Sequence, residues 1–164
     1  MINVRWVIES WAELQEVLRQ LVQQLRQVHR TYGVIWVTAA TTQVINNAAT
    51  QITICNAEED DGVTASHAND KLTIDHTGRY LVAAHLSLAA QAGSGNVTLQ
   101  IWRNGSAIVP AAAKAWVGNG EYADIRAETI GNLDATDELT LYALGGGGLT
   151  FDIAACSLSV KRVA

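Results

Sequence analysis

Four histidines, His29, His67, His76 and His85, are the side chains best suited to acid–base or metal chemistry in this chain of 164 residues, and no two are spaced as paired metal ligands. His85 alone falls within an alternating apolar run, on its more mixed face, where an imidazole packs or hydrogen-bonds; if that face met a three-fold axis, three copies would converge on one ion. The acidic run Glu58-Glu59-Asp60-Asp61 with Gly62 offers carboxylates without the alternating ligand spacing of a calcium loop, and it reads as a solvated loop. Gly93-Ser94-Gly95 lacks the Gly-x-Ser-x-Gly of a nucleophile elbow. The run Gly145 to Gly148 lacks the Lys-Ser/Thr ending of a phosphate loop. The expectation is therefore a non-enzymatic protein with no catalytic residue, no metal and no cofactor. Cys55 and Cys156 exclude both a CxxC redox motif and a cysteine-only zinc site. They remain either two buried free thiols or a disulfide between neighbouring strands. Trp102 lies on the strand face opposite Val97, Leu99 and Ile101. With Trp116 and His85 it is a candidate either for a subunit interface, where aromatics are enriched, or for contact with a glycan.

Composition bounds the partners. The chain is 49% apolar and only 16% charged, against about 25% charged in ordinary soluble domains, so much of its surface is available to another chain and self-association is expected. A net charge of -5, with Lys71, Lys114 and Lys161 scattered, opposes binding to nucleic acid, which rests on clustered cations. No apolar run approaches the roughly 18 residues of a membrane span. The start, Met1-Ile2-Asn3-Val4-Arg5, lacks the basic-then-apolar design of a signal peptide, which predicts synthesis in a cytoplasm without export by that route.

Residues 10–32 carry a helix pattern. Ser10 and Glu13 have capping-box spacing. From there Trp11, Leu14, Leu18, Leu21, Leu25, Val28 and Tyr32 recur at alternating intervals of three and four, opposite a polar face of Glu, Gln and Arg. A strict seam of this period belongs to helices wound about each other. Leucine at the first core position, with Val17 and Val22 flanking the seam, favours three strands, and Gly33 is the expected terminator. Ahead of this stalk, in residues 1–9, Ile2, Val4, Trp6 and Ile8 alternate with Asn3, Arg5, Val7 and Glu9. That is a strand period too short to stand alone, and it predicts an arm that anchors on a partner or pairs with the main domain.

Residues 33–164 alternate as strands separated by turn residues, which predicts an antiparallel β-sandwich. Tyr80, Val82, Leu86, Leu99, Ile101, Leu139, Leu141 and Phe151 are expected in its core. A change of phase at Ala154-Ala155 predicts a β-bulge in the last strand. Arg103-Asn104-Gly105 and Gly118-Asn119-Gly120 supply positive-φ turn positions, as His76-Thr77-Gly78 is also expected to do.

The order of these residues resembles the trimeric jelly rolls of the tumour necrosis factor type, which include the globular heads of the complement recognition protein. The resemblance spans roughly residues 51–163. It rests on Gly78-Arg79-Tyr80-Leu81-Val82, on Val97-Thr98-Leu99-Gln100-Ile101-Trp102-Arg103-Asn104-Gly105, and on Leu133-Asp134-Ala135-Thr136-Asp137-Glu138-Leu139-Thr140-Leu141, in which Thr136 stands where the family commonly has glycine. It implies a mainly β jelly-roll head that trimerises behind a coiled-coil stalk. Heads of this kind with short stalks occur among bacteriophage surface proteins. The chain is therefore expected to be a homotrimeric virion surface protein, a short head fibre or capsid decoration protein whose N-terminus binds capsid or another virion protein. The alternative is the tip of a tail fibre that recognises a host-surface glycan.

Overall fold

The computed structural model describes residues 11–145 and 149–163, with side chains for all of these except 24–30. The anchoring residues Ile2, Val4, Trp6 and Ile8, the cap Ser10, Gly146 to Gly148, and the side chains of Leu25 and Val28 lie outside the described residues. Helix α1 spans Trp11–Arg30, with Glu13 in its first turn, where a carboxylate suits the positive end of the helix dipole. Glu16 accepts from Arg19 and Gln20 along the polar face. On the other face Trp11, Leu18 and Leu21 stand exposed, Leu18 and Leu21 each by 52%, and Leu14 is half-buried.

Tyr32 does not extend the helical seam. It opens β1 (Tyr32–Trp36), so the head begins ahead of residue 33. Residues of β1 pair on both sides, Tyr32 with Lys161 of β12 (Leu149–Arg162) and with Asp61 of β4 (Ala57–Asp61). The Tyr32 hydroxyl donates to Glu59 at 2.7 Å. Two ladders of hydrogen bonds outweigh two more helical residues. Gly33 is accordingly a packing glycine and not a helix cap: a Cβ there would lie 2.7 Å from Val63 Cγ1.

The remaining strands are β2 (Thr41–Ile45), β3 (Thr50–Gln51), β5 (Val63–Ser66), β6 (Lys71–Ile74), β7 (Gly78–Ala90), β8 (Gly95–Arg103), β9 (Ser106–Val117), β10 (Tyr122–Leu133) and β11 (Glu138–Gly145). They form two antiparallel sheets stacked as a jelly roll. Sheet one has the order β10-β7-β12-β1-β4, with β2 also on β12; sheet two has the order β5-β6-β11-β8-β9, with β3 also on β11. All eight expected core residues are at most 2% exposed. The register of β12 against β7 shifts between Ile153 and Ala155, which is the expected bulge and turns Leu158 and Val160 inward.

The acidic run is a strand, not a loop. Residues 58–61 lie within β4 at the edge of sheet one, and each of the first three carboxylates has a local partner. Glu58 accepts from the His67 backbone N–H, which holds its carboxyl below the usual range, Glu59 accepts from Tyr32, and Asp60 accepts from the Ala65 N–H at 2.6 Å. The hairpin from β8 to β9 turns through Asn104 (φ 49°) and Gly105 (φ 76°), as a type I′ turn requires. Gly120 is also left-handed, whereas Gly78 is not and begins β7.

Candidate functional site

The residues singled out in the sequence do not gather in one place. His85 projects from the outer face of sheet one. Its Nε2 lies 3.3 Å from Asp124 Oδ1, and hydrogen bonds from Ser87 and His85 hold the Asp124 carboxyl below its usual range. Trp102 stands on the outer face of sheet two. Its ring stacks on Tyr142 with centroids 4.0 Å apart, and its Nε1 donates to Gln100 at 3.1 Å. Trp116 sits on the edge strand β9 opposite Asn96, 61% exposed. At about 3.4 Å per residue the six positions from Asn96 to Trp102 put these two tryptophans about 20 Å apart.

What the strand register does assemble is the outer face of sheet one. Three rows run across its strands: Asp61, Tyr32, Lys161, Leu81 and Ile130; Glu59, Val34, Ser159, Ala83 and Glu128; and Ala57, Trp36, Ser157, His85 and Arg126. Charges stand mainly at the two margins, while Val34, Ser159, Ala83 and Ser157 form a small, uncharged centre. Because these side chains are short, the centre is a trough: a groove of about 560 Å³ bounded by Tyr32, Val34, Leu81, Ala83, Ser159 and Lys161, continued by one of about 310 Å³ between His85, Arg126, Glu128 and Ser157. A sheet face left to water usually carries charged or long polar side chains in its middle.

The opposite relief lies at the sandwich edge formed by β9 and β10. Val109 is 89% exposed, Ile130 stands out beside it on β10, and Tyr122 is exposed at the other end of that strand. A cavity of about 270 Å³ opens there between Arg103, Ile108, Pro110 and Thr129. The chain thus carries a recessed face with a small uncharged centre and, at another place, an edge with exposed apolar side chains. Helix α1 joins the first of them directly, since only Thr31 separates it from β1, which lies between β12 and edge strand β4 in sheet one. Neither trough nor edge was visible in sequence, because their residues come from strands that only the fold brings side by side. Among the described residues no cluster of three or more His, Cys, Asp or Glu could hold a metal ion, and no helix is long and apolar enough to cross a membrane.

No protein-family model matches the sequence, and no curated protein matches it either. Solved structures do match in fold. Eiger, a tumour necrosis factor from S. frugiperda, superposes with a TM-score of 0.56 at 9% identity over 82% of this chain and 94% of that one. The globular domain of zebrafish complement 1qA gives 0.58 at 11% identity over 79% and 95%, and murine APRIL at pH 5.0 gives 0.51 at 13% identity over 80% and 99%. The jelly roll of the tumour necrosis factor and complement heads is therefore the fold of this chain.

Proposed function

We propose that the chain is a non-enzymatic homotrimeric surface protein of a virus particle, a bacteriophage short head fibre or capsid decoration protein. The observation that carries the assembly is the uncharged trough on sheet one, set beside an exposed helical seam. In this reading the β9–β10 edge of one copy seats in the trough of the next. Such a contact joins two unlike surfaces, so it must close into a ring or grow without limit. The leucine seam of α1 sets the ring at three. Three copies of sheet one facing one axis would bring three helices together, because each helix leaves from that sheet.

The function is then binding. A trimeric head displayed on a short stalk would bind the particle through the N-terminal arm, with three weak contacts acting as one strong attachment. The order of arm, short stalk and jelly-roll head supports the virion placement, as does the low proportion of charge. The tail-fibre reading has one observation in its favour: the Trp102–Tyr142 stack lies on sheet two, the face that would stay outward in this trimer, where a sugar ring could contact it. Co-sedimentation of the purified protein with undecorated capsids and with host cells separates the two. Saturable binding to capsids that is lost when residues 1–9 are deleted is the expected result. Binding to cells alone, abolished by W102A, would transfer the assignment to a receptor-binding tip.

A further inference from the structure

Among the described residues four strands end the two sheet orders: β10 and β4 in sheet one, β9 and β5 in sheet two. Such a strand leaves a row of backbone groups without a ladder partner, and another chain can pair with it unless charge, proline or a bulge prevents it. Strand β10 carries Asp124, Arg126 and Glu128, and β4 carries its four acids. Strand β9 carries Pro110 and Lys114, and its register against β8 shifts between Gln100 and Trp102. Strand β5 has none of these devices. It reads Val63-Thr64-Ala65-Ser66, uncharged and without proline, and it pairs residue for residue with β6 on one side.

What meets its other side is β4. Gly62 alone separates the two strands, and its left-handed φ of 71° carries the chain from the edge of sheet one to the edge of sheet two. Successive side chains of β4 point to opposite faces. Glu59 and Asp61 stand on the outer face of sheet one, whereas Glu58 and Asp60 reach the backbone of β5 and of the residue that follows it. Asp60 Oδ2 accepts from the Ala65 N–H at 2.6 Å, and Glu58 Oε2 accepts from the His67 N–H at 2.5 Å. His67 Nδ1 lies 2.9 Å from that same Glu58 oxygen and holds it from a second direction. Ala65 and His67 are two residues apart, the interval at which the N–H groups of a strand point to one side. The two carboxylates therefore lie where the carbonyls of an added strand would lie.

We propose that the acidic strand β4 guards the open edge of sheet two: Glu58 and Asp60 occupy the donors through which β5, once they are removed, pairs with the β5 of a second copy. The partner is a second copy because each chain presents the same uncharged strand, and two antiparallel copies make a symmetric, self-complementary ladder. The guard works by capping donors, so the acceptor oxygens matter more than their charge. It goes beyond the contact of trough and edge, which uses neither Glu58 nor Asp60.

The test uses the full-length chain and takes the parent's own mass as its reference, so the result does not depend on the trimer. By multi-angle light scattering E58A/D60A should form a species of about twice the parent's mass or more that grows with concentration. E58Q/D60N, whose amide oxygens still accept from Ala65 and His67, should keep the parent's mass. Adding A65P to the alanine background removes an N–H on the open side and should restore the parent's mass. Circular dichroism confirms that each variant is folded. In the parent, hydrogen exchange followed by NMR should find the Ala65 and His67 amides protected although both face away from β6, which tests the caps even if the alanine variant unfolds. A folded E58A/D60A of parent mass, equal association of E58Q/D60N, association that survives A65P, or rapid exchange at Ala65 and His67 in the parent would each overturn the proposal.

Discussion

Asp137 is buried yet ionised, because three donors converge on its carboxylate: Asn104 Nδ2 at 2.7 Å, the Asp134 N–H at 2.7 Å and Arg103 at 2.7 Å. Burial raises its pKa, but the hydrogen bonds from Asp134, Asn104 and Arg103 outweigh burial and hold the carboxyl below its ordinary value. A depressed carboxyl stabilises the fold above the usual carboxylate range, and that contribution is lost as pH falls through the depressed value. D137N should cost about 2 kcal/mol at neutral pH, and its stability should decline less steeply than the parent's between about pH 5 and pH 2. Urea unfolding at fixed chain concentration measures both. The neighbouring Thr136 has φ 76°, a left-handed conformation that costs a β-branched residue about 1–2 kcal/mol. The family's glycine at this point in the motif therefore has a conformational reason. T136G should raise stability by about 0.5–1 kcal/mol in the same assay, the relief of strain exceeding the entropy that glycine loses on folding.

At the scale of elements, the two faces of sheet one do different work. Its inner face was legible from Tyr80, Val82, Ala84, Leu86 and Leu88, because period-two alternation in one strand is a local signal. The outer face was not, because Val34, Ala83, Ser157 and Ser159 are unremarkable singly and meet only through register. Strand β4 was hidden for a different reason: four successive acids look like solvated loop until His67, Tyr32 and the Ala65 amide are seen to take up their charge and lone pairs. The heptad pattern carries the helix two residues too far, to Tyr32 instead of Arg30, since it does not register that Tyr32 has a better use in a ladder. A83R sets a long cation in the centre of the trough and should yield a monomer on size-exclusion chromatography, whereas A49R, exposed in the turn between β2 and β3 and away from both trough and edge, should leave assembly unchanged. Replacing Leu18 and Leu21 together by Asp puts two carboxylates from each chain into the seam, where burying even one unpaired charge costs several kcal/mol. Helical circular dichroism should fall while the head stays assembled. Unchanged helicity would mean that α1 has no helical partner.

In the proposed reading the whole molecule is a head that would hold itself together through one face and one edge, a stalk that would follow that association, and an arm that would reach the particle. Obligate interfaces commonly bury more than about 2,000 Å² in total, so the proposal requires the three seams of trough and edge together to bury that much without the helices. The central claim is the trimer, and the solution mass of the intact chain by multi-angle light scattering tests it most directly. With a chain of 17.6 kDa, the account predicts a single species at three times that mass, about 53 kDa, unchanged on dilution through the micromolar range. A species at 17.6 kDa, or one whose mass grows with concentration, would contradict it.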